Sequence, residues 1–364
     1  MQAPVQRTRQ IHTIDTDVHY VLENWGELRP YLSQPWKGLV DEKKGFFGMS
    51  HRGYANIGGW PNDGALRGDA KPPNGIIGSD PEFTKKQLLE KEGIDYAILN
   101  GGPTGLSVAY NPDIATALAS AHNDWVIDKW LGPHKEFKGS IIIAPQDPLR
   151  AAEEINRVGA DRRFVQIAVY AGSQEPYGYR QYYPIYEAAQ NNKLPVAIHF
   201  GGTASGIGQV AGAAGHPTTY IEYHTDQSQI FQAHLVSLVT EGIFEKFPGL
   251  KIVFVEGGVC WLPHVMWRLD KNWKGLRAEV PWVKRPPSEY ILEHFRFTTQ
   301  PLEEPKKWEH LLQIFEMIDA GRTVMYSSDY PHWDFDPPKI LAGKLPEPLR
   351  DRIMSETARE LYRL

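Results

Sequence analysis

Thr323-Val-Met-Tyr-Ser-Ser-Asp-Tyr-Pro-His332 is a short apolar run that breaks off into two serines, an aspartate, a proline and a histidine. Its first four residues read as a buried strand. Polar, metal-capable groups at the end of a buried strand cost stability unless something satisfies them. In a barrel of parallel strands, that end is where active sites are built. The stretch therefore points to Asp329 as a metal ligand with His332 close by. Read alone, it fits a turn with a capping aspartate better, so the rest of the chain must decide.

The preceding chain repeats the strand pattern. Apolar runs begin at Ile11, Ile94, Phe137, Phe164, Pro195, Lys251 and Phe295, which with Thr323 makes eight strands. Helical periodicity separates them, over about 81–92, 112–131, 148–159, 183–192, 226–245, 258–273 and 305–319, with a final helix over 347–361. Asp80-Pro81, Asn111-Pro112 and Asp147-Pro148 each pair a capping side chain with a proline suited to a first helical turn. Near-continuous apolar strands alternating with helices predict a parallel sheet covered on both faces. Eight such units favour a closed α/β (β/α)8 barrel, a TIM barrel, over an open sheet. No G-x-G-x-x-G follows the first strand, which argues against a dinucleotide fold.

The whole chain, 1–364, reads as one domain. Residues 20–80, after the first strand, have little periodicity and many Gly, Pro and Trp residues. An irregular stretch of that length inside a compact domain is typically functional, so it reads as a lid-like insertion over the C-terminal face of the barrel. The hydrophobic fraction of 41% and charged fraction of 23% are those of an ordinary globular protein. A net charge of -5 without a basic block argues against nucleic acid as a partner. No apolar run approaches membrane-spanning length, and the N-terminus has no apolar signal region, so no membrane and a cytoplasmic location are expected. Single Cys260 rules out an internal disulfide framework and sits in an apolar run as a packing residue.

The strand ends carry the chemistry. The first gives Asp15, Asp17 and His19, which share one side if the strand alternates regularly. The fifth gives His199, the sixth Glu256, and the eighth Asp329 with His332 just beyond. In a closed barrel, strands one and eight are neighbours, as are five and six, so these ends can meet across the mouth. Two imidazoles and two carboxylates suit a divalent ion such as Zn²⁺, Mn²⁺ or Fe²⁺.

Asp15-Thr-Asp-Val-His19, Ile-His199, Phe-Val-Glu256-Gly-Gly with Trp261-Leu-Pro, and Tyr-Ser-Ser-Asp329-Tyr-Pro-His332 together resemble the amidohydrolase-2 branch of the amidohydrolase superfamily. That branch includes amino-carboxymuconate-semialdehyde decarboxylase and γ-resorcylate decarboxylase. The resemblance spans nearly the whole chain outside the 20–80 insertion. It implies a metal-dependent barrel, commonly a homodimer or higher homo-oligomer, with one divalent ion, zinc first and manganese or iron as alternatives. It implies Asp17, His19, His199 and Asp329 as ligands, with Asp17 a carboxylate variant of the family's His-x-His pair. Asp329 would also handle a proton in hydrolytic members. Where the decarboxylases often carry a histidine on strand six, this chain has Glu256, and His224 in the loop after strand five is a candidate replacement imidazole.

Catalytic roles are therefore expected for Asp329, Glu256 and His224. His332, Trp60 and Arg180 are candidates for contacting a small-molecule substrate. The first functional expectation is a metal-dependent hydrolase of an amide, ester or lactone. The second is a metal-dependent nonoxidative decarboxylase of an aromatic or unsaturated acid. A barrel that binds a ligand without catalysis is a third, disfavoured by the complete ligand set.

Overall fold

In the computed structural model, residues 12–364 are described apart from 39, 42–44, 47–64, 102–103, 204 and 209–211. Eight parallel strands follow one another in chain order: β1 Ile14–Tyr20, β2 Tyr96–Gly101, β3 Phe137–Ile142, β4 Phe164–Tyr170, β5 Val196–His199, β6 Ile252–Val255, β7 Phe295–Thr298 and β8 Val324–Met325. The ring closes through backbone bonds between β1 and the segment that leaves β8. Thr16 N donates to Tyr326 O (3.0 Å), Asp329 N to Asp17 O (3.1 Å) and His19 N to Tyr330 O (2.7 Å). The predicted (β/α)8 barrel is the observed one.

The strands form where the sequence is apolar and β-branched, because both faces are covered. Every residue of β5 and β6 is buried. Helices begin where the Asx-Pro pairs predicted them. Asn111 Oδ1 accepts from Asp113 N and Ile114 N at the start of the helix Pro112–Val126, and Asp147 Oδ1 accepts from Arg150 N at the start of Pro148–Val158.

Several helical segments differ from expectation. The predicted 226–245 helix is two pieces, Ser228–Thr240 and Ile243–Lys246, broken where Gly242 turns left-handed at φ 72°, and a separate helix, Tyr220–Asp226, precedes them. The predicted 258–273 helix starts late, as Leu262–Leu276, because the Glu303 carboxylate takes the amides of Val259 and Cys260. Pro287–His294 and Pro338–Lys344 are additional short helices that open on prolines.

The N-terminal end of the barrel is plugged. Ile14, Ile98, Val165, Ala197, Val253, Val255 and Met325 form an interior cluster with Ala358 and Tyr362 of the helix Thr357–Tyr362. The described parts of the 20–80 segment are tied to the barrel. Val21 N donates to Gly78 O (2.9 Å), pinching its base, and Tyr31 Oη donates to Asp128 Oδ2 (2.9 Å) on the barrel flank. Its far end runs beside the chain after β8, with Arg67 N donating to Pro331 O and Trp333 N to Ala65 O. Among the described residues, no helix is long and apolar enough to cross a membrane.

Candidate metal centre

An extra residue in β1 shapes the site. Asp15 pairs with Ala97 and Val18 with Leu99, so three steps on β1 match two on β2. This bulge breaks the regular alternation. Asp17 and His19 reach the mouth together, but Asp15 does not share their side as expected. Its Oδ1 instead accepts from Ser328 N (2.9 Å) and Asp17 N (3.2 Å), tying β1 to the chain after β8. Burial pushes the Asp15 carboxyl up to about 7, against the pull of those hydrogen bonds.

The other strand-end residues converge. Asp17, His19, His199 and Glu256 each offer one donor atom, all within 4.8 Å of one another, and His19, Asp329 and His332 form a second such group. Asp17 Oδ1 lies 3.5 Å from His19 Nε2 and 3.4 Å from His199 Nε2. His19 Nε2 is 2.9 Å from Asp329 Oδ1, and His332 Nδ1 is 2.6 Å from that same oxygen. His199 Nδ1 is 3.5 Å from Glu256 Oε2 and 2.6 Å from the Phe200 carbonyl, a contact that fixes the ring and turns Nε2 toward Asp17.

Asp17 Oδ2, His19 Nε2, His199 Nε2 and Asp329 Oδ2 are all buried and lack an aligned hydrogen-bond partner. Unsatisfied buried polar atoms are rare, and four on one cluster call for a ligand that satisfies them together. Two imidazole nitrogens and two carboxylate oxygens are the donor chemistry of a divalent cation. The residues present therefore fit a metal ion.

The electrostatics agree. Burial alone would raise Asp17 and Asp329, yet the histidines outweigh it: His199 and His19 hold Asp17 low, and His332 and His19 hold Asp329 low. Glu256 goes the other way. Burial, then the charges of Asp329 and Asp17, lift its carboxyl well above the usual range. Asp329 and Glu256 also hold left-handed backbones, at φ 58° and 65°. Such strain is retained where surrounding structure over-determines it, characteristically at functional sites.

The remaining expected residues separate. His224 sits on the helix Tyr220–Asp226, not in a loop, with Nε2 3.5 Å from Asp334 Oδ2. Gln300 Nε2 donates to that Asp334 oxygen (2.8 Å). Arg180 is exposed on the turn Arg180–Tyr182 and shares none of the cluster's contacts. Trp60 lies outside the described residues. Burial, then Glu303, push the Cys260 thiol up to about 12, which makes it a poor nucleophile. Asn100 and Asp334 were not singled out from the sequence. Asn100 Nδ2 donates to Asp17 Oδ1 (3.0 Å), and the one available signal was its position at the end of β2.

Known proteins resemble this chain over most of its length. A gamma-resorcylate decarboxylase of Polaromonas sp. is 26% identical over 271 residues, covering 71% of this chain and 79% of that protein. A gamma-resorcylate decarboxylase of Rhizobium sp. is 26% identical over 296 residues, covering 78% and 88%. The 5-carboxyvanillate decarboxylase of Novosphingobium aromaticivorans, solved with manganese and 4-hydroxy-3-methoxy-5-nitrobenzoic acid, superposes with a TM-score of 0.69 over 97% of this chain and 96% of that one, at 20% identity. That last likeness is one of fold. The amidohydrolase family model matches residues 14–364, from the first barrel strand to the end of the chain, and the protein belongs to that family.

Proposed function

We propose that this protein is a metal-dependent nonoxidative decarboxylase of a hydroxylated aromatic acid, with Asp17, His19, His199 and Asp329 holding one divalent ion. The observation that carries the reading is the set of four buried donor atoms without an aligned hydrogen-bond partner on those residues at the mouth of the barrel. The decarboxylase relatives, matched over most of the chain, favour loss of CO₂ over the hydrolysis that stood first in the sequence reading. The manganese held by the solved relative moves manganese ahead of zinc as the proposed ion.

When bound, the ion would supply positive charge opposite the substrate's oxygens and offset the electron density left on the ring. The chain's own residues would do the rest. The bond between ring and carboxylate breaks, CO₂ leaves with neither oxidation nor reduction, and the ring carbon takes a proton. Glu256 would give that proton, since burial and its anionic neighbours raise its carboxyl well above the usual range and so favour the protonated form. His224, backed by Asp334, would be the alternative donor. His332 would hold Asp329 in register through their 2.6 Å contact.

The test is product analysis. Manganese-loaded protein is incubated with ortho-hydroxybenzoates and, separately, with amides, esters and lactones. Release of CO₂ with the matching phenol supports the proposal. Hydrolysis of a carbonyl compound with no CO₂ from any acid overturns it.

A further inference from the structure

Barrel interiors are ordinarily filled by layers of branched apolar side chains. One side of this interior is polar. Asn100 on β2, Ser140 on β3 and Gln166 on β4 are all at most 1% exposed. Ser140 and Gln166 are remote from the donor cluster in the bonding pattern, yet a continuous chain of hydrogen bonds ties them to it. Tyr362 Oη donates to Gln166 Oε1 (2.7 Å). Gln166 Nε2 donates to Asn100 Oδ1 (2.9 Å) and Ser140 Oγ (3.0 Å), and Ser140 Oγ donates to Asn100 Oδ1 (2.9 Å). Asn100 Nδ2 then donates to Asp17 Oδ1 (3.0 Å) and to the Thr16 carbonyl (3.1 Å).

Every link points the same way, from the helix Thr357–Tyr362 through the barrel to Asp17. The two amides cannot turn over. Flipping Asn100 would set its Oδ1 against the Thr16 carbonyl and the Asp17 carboxylate, and with Asn100 so fixed, flipping Gln166 would set its Oε1 against Asn100 Oδ1. Aligned donors polarise one another in a low-dielectric interior. A buried polar network of this kind costs stability relative to apolar packing, so it calls for a use.

We propose that Tyr362, Gln166, Ser140 and Asn100 form a positioning relay that fixes the Asp17 carboxylate for metal binding, so that the helix plugging one end of the barrel sets the ion affinity at the other. The proposal rests on Asp17 being a ligand, as proposed above. Asn100 holds one carboxylate oxygen and leaves Oδ2 free for an ion. Gln166 and Ser140 hold Asn100, and Tyr362 holds Gln166. Outer partners of metal ligands act in this way, and their loss typically weakens binding by roughly 10- to 100-fold.

The experiment is a double-mutant cycle read by manganese affinity, measured from the electron paramagnetic resonance of free Mn²⁺, with thermal midpoints of the metal-free proteins recorded alongside. Tyr362→Phe is expected to weaken Mn²⁺ binding several-fold, less than the roughly 10- to 100-fold expected of a direct outer partner. In a Gln166→Met background, the same substitution is expected to change nothing further, because its link is already cut. Ser140→Ala, which removes one of the two donors holding Asn100, gives an independent and mild second variant with the same direction of effect. A Tyr362→Phe protein that melts lower but binds Mn²⁺ as the wild type does would reduce Tyr362 to a packing residue and overturn the relay. Equal losses in both backgrounds would overturn it as well. Wild-type protein that binds no Mn²⁺ would instead overturn the metal reading, and the relay with it.

Discussion

At the N-terminal end of the barrel, Ile14, Ile98, Val253 and Met325 pack in an apolar plug with Ala358 and Tyr362. At the opposite end, Asp17, His19, His199 and Asp329 each keep a buried atom without an aligned hydrogen-bond partner, and two site residues hold left-handed backbones. The two ends share the same strands. What differs is what those strands are asked to do, because a plug can be made as stable as its packing allows, whereas a binding centre must leave donor atoms unsatisfied until its ligand arrives. Apart from the Tyr362 relay, stability and activity should therefore separate between the ends.

The largest effect is expected at the mouth. Asp329→Asn keeps a residue that tolerates the left-handed backbone but removes a charged donor. It should weaken Mn²⁺ binding by more than about 100-fold, the upper range for an outer partner, and take product formation to background. The metal-free protein should still fold but melt lower, because the ion pairs of Asp329 with His19 and His332 are lost. Mn²⁺ affinity equal to that of wild type would break the comparison. Glu256→Gln should lower the decarboxylation rate by about 10²- to 10⁴-fold, the range for a general acid, while sparing Mn²⁺ affinity. The two readouts are single-turnover rates and metal titration.

The plug should respond in the opposite sense. Ile14→Ala removes a fully buried side chain and should cost about 2–5 kcal/mol by denaturant unfolding. Mn²⁺ affinity in the folded fraction should hold. Acid offers a further test, because His122, on the helix Pro112–Val126, is buried against the Tyr20 hydroxyl (3.0 Å), and burial lowers its pKa to about 3. It stays neutral when folded but takes a proton when unfolded below about 6.5, so it subtracts stability as pH falls from about 6.5 towards 3 and contributes nothing above that window. Thermal midpoints of metal-free His122→Gln should decline less over that range than those of wild type. The smallest effect belongs to the surface: Asn111→Ala removes the cap of the helix Pro112–Val126 and should cost about 1 kcal/mol, with no change in metal binding.

The two ends also differed in how far they could be read from the sequence. His199, Glu256 and Asp329 were visible because each ends an apolar run, where a charged or imidazole group is costly and therefore informative. The eight-unit frame was visible for the same reason, since strands buried on both faces leave uninterrupted apolar stretches. The β1 bulge was not, because Ile-Asp-Thr-Asp-Val-His-Tyr reads equally well with or without an extra residue, and that ambiguity put Asp15 on the wrong side. Asp334 looks like any loop aspartate until Gln300 and His224 are seen beside it. The polar side of the interior was hidden most completely. A lone Gln or Ser inside a strand carries no pattern, and its partners lie on other strands and on a helix 196 residues away from Gln166 along the chain.

The account stands most directly on metal stoichiometry. Wild-type protein and His199→Ala are stripped with a chelator, dialysed against Mn²⁺ and assayed for bound metal per chain, with circular dichroism confirming that both are folded. The four converging donors predict one ion per wild-type chain and none retained by the folded variant. A wild type that holds no ion, or a variant that holds one as tightly as wild type, would contradict it.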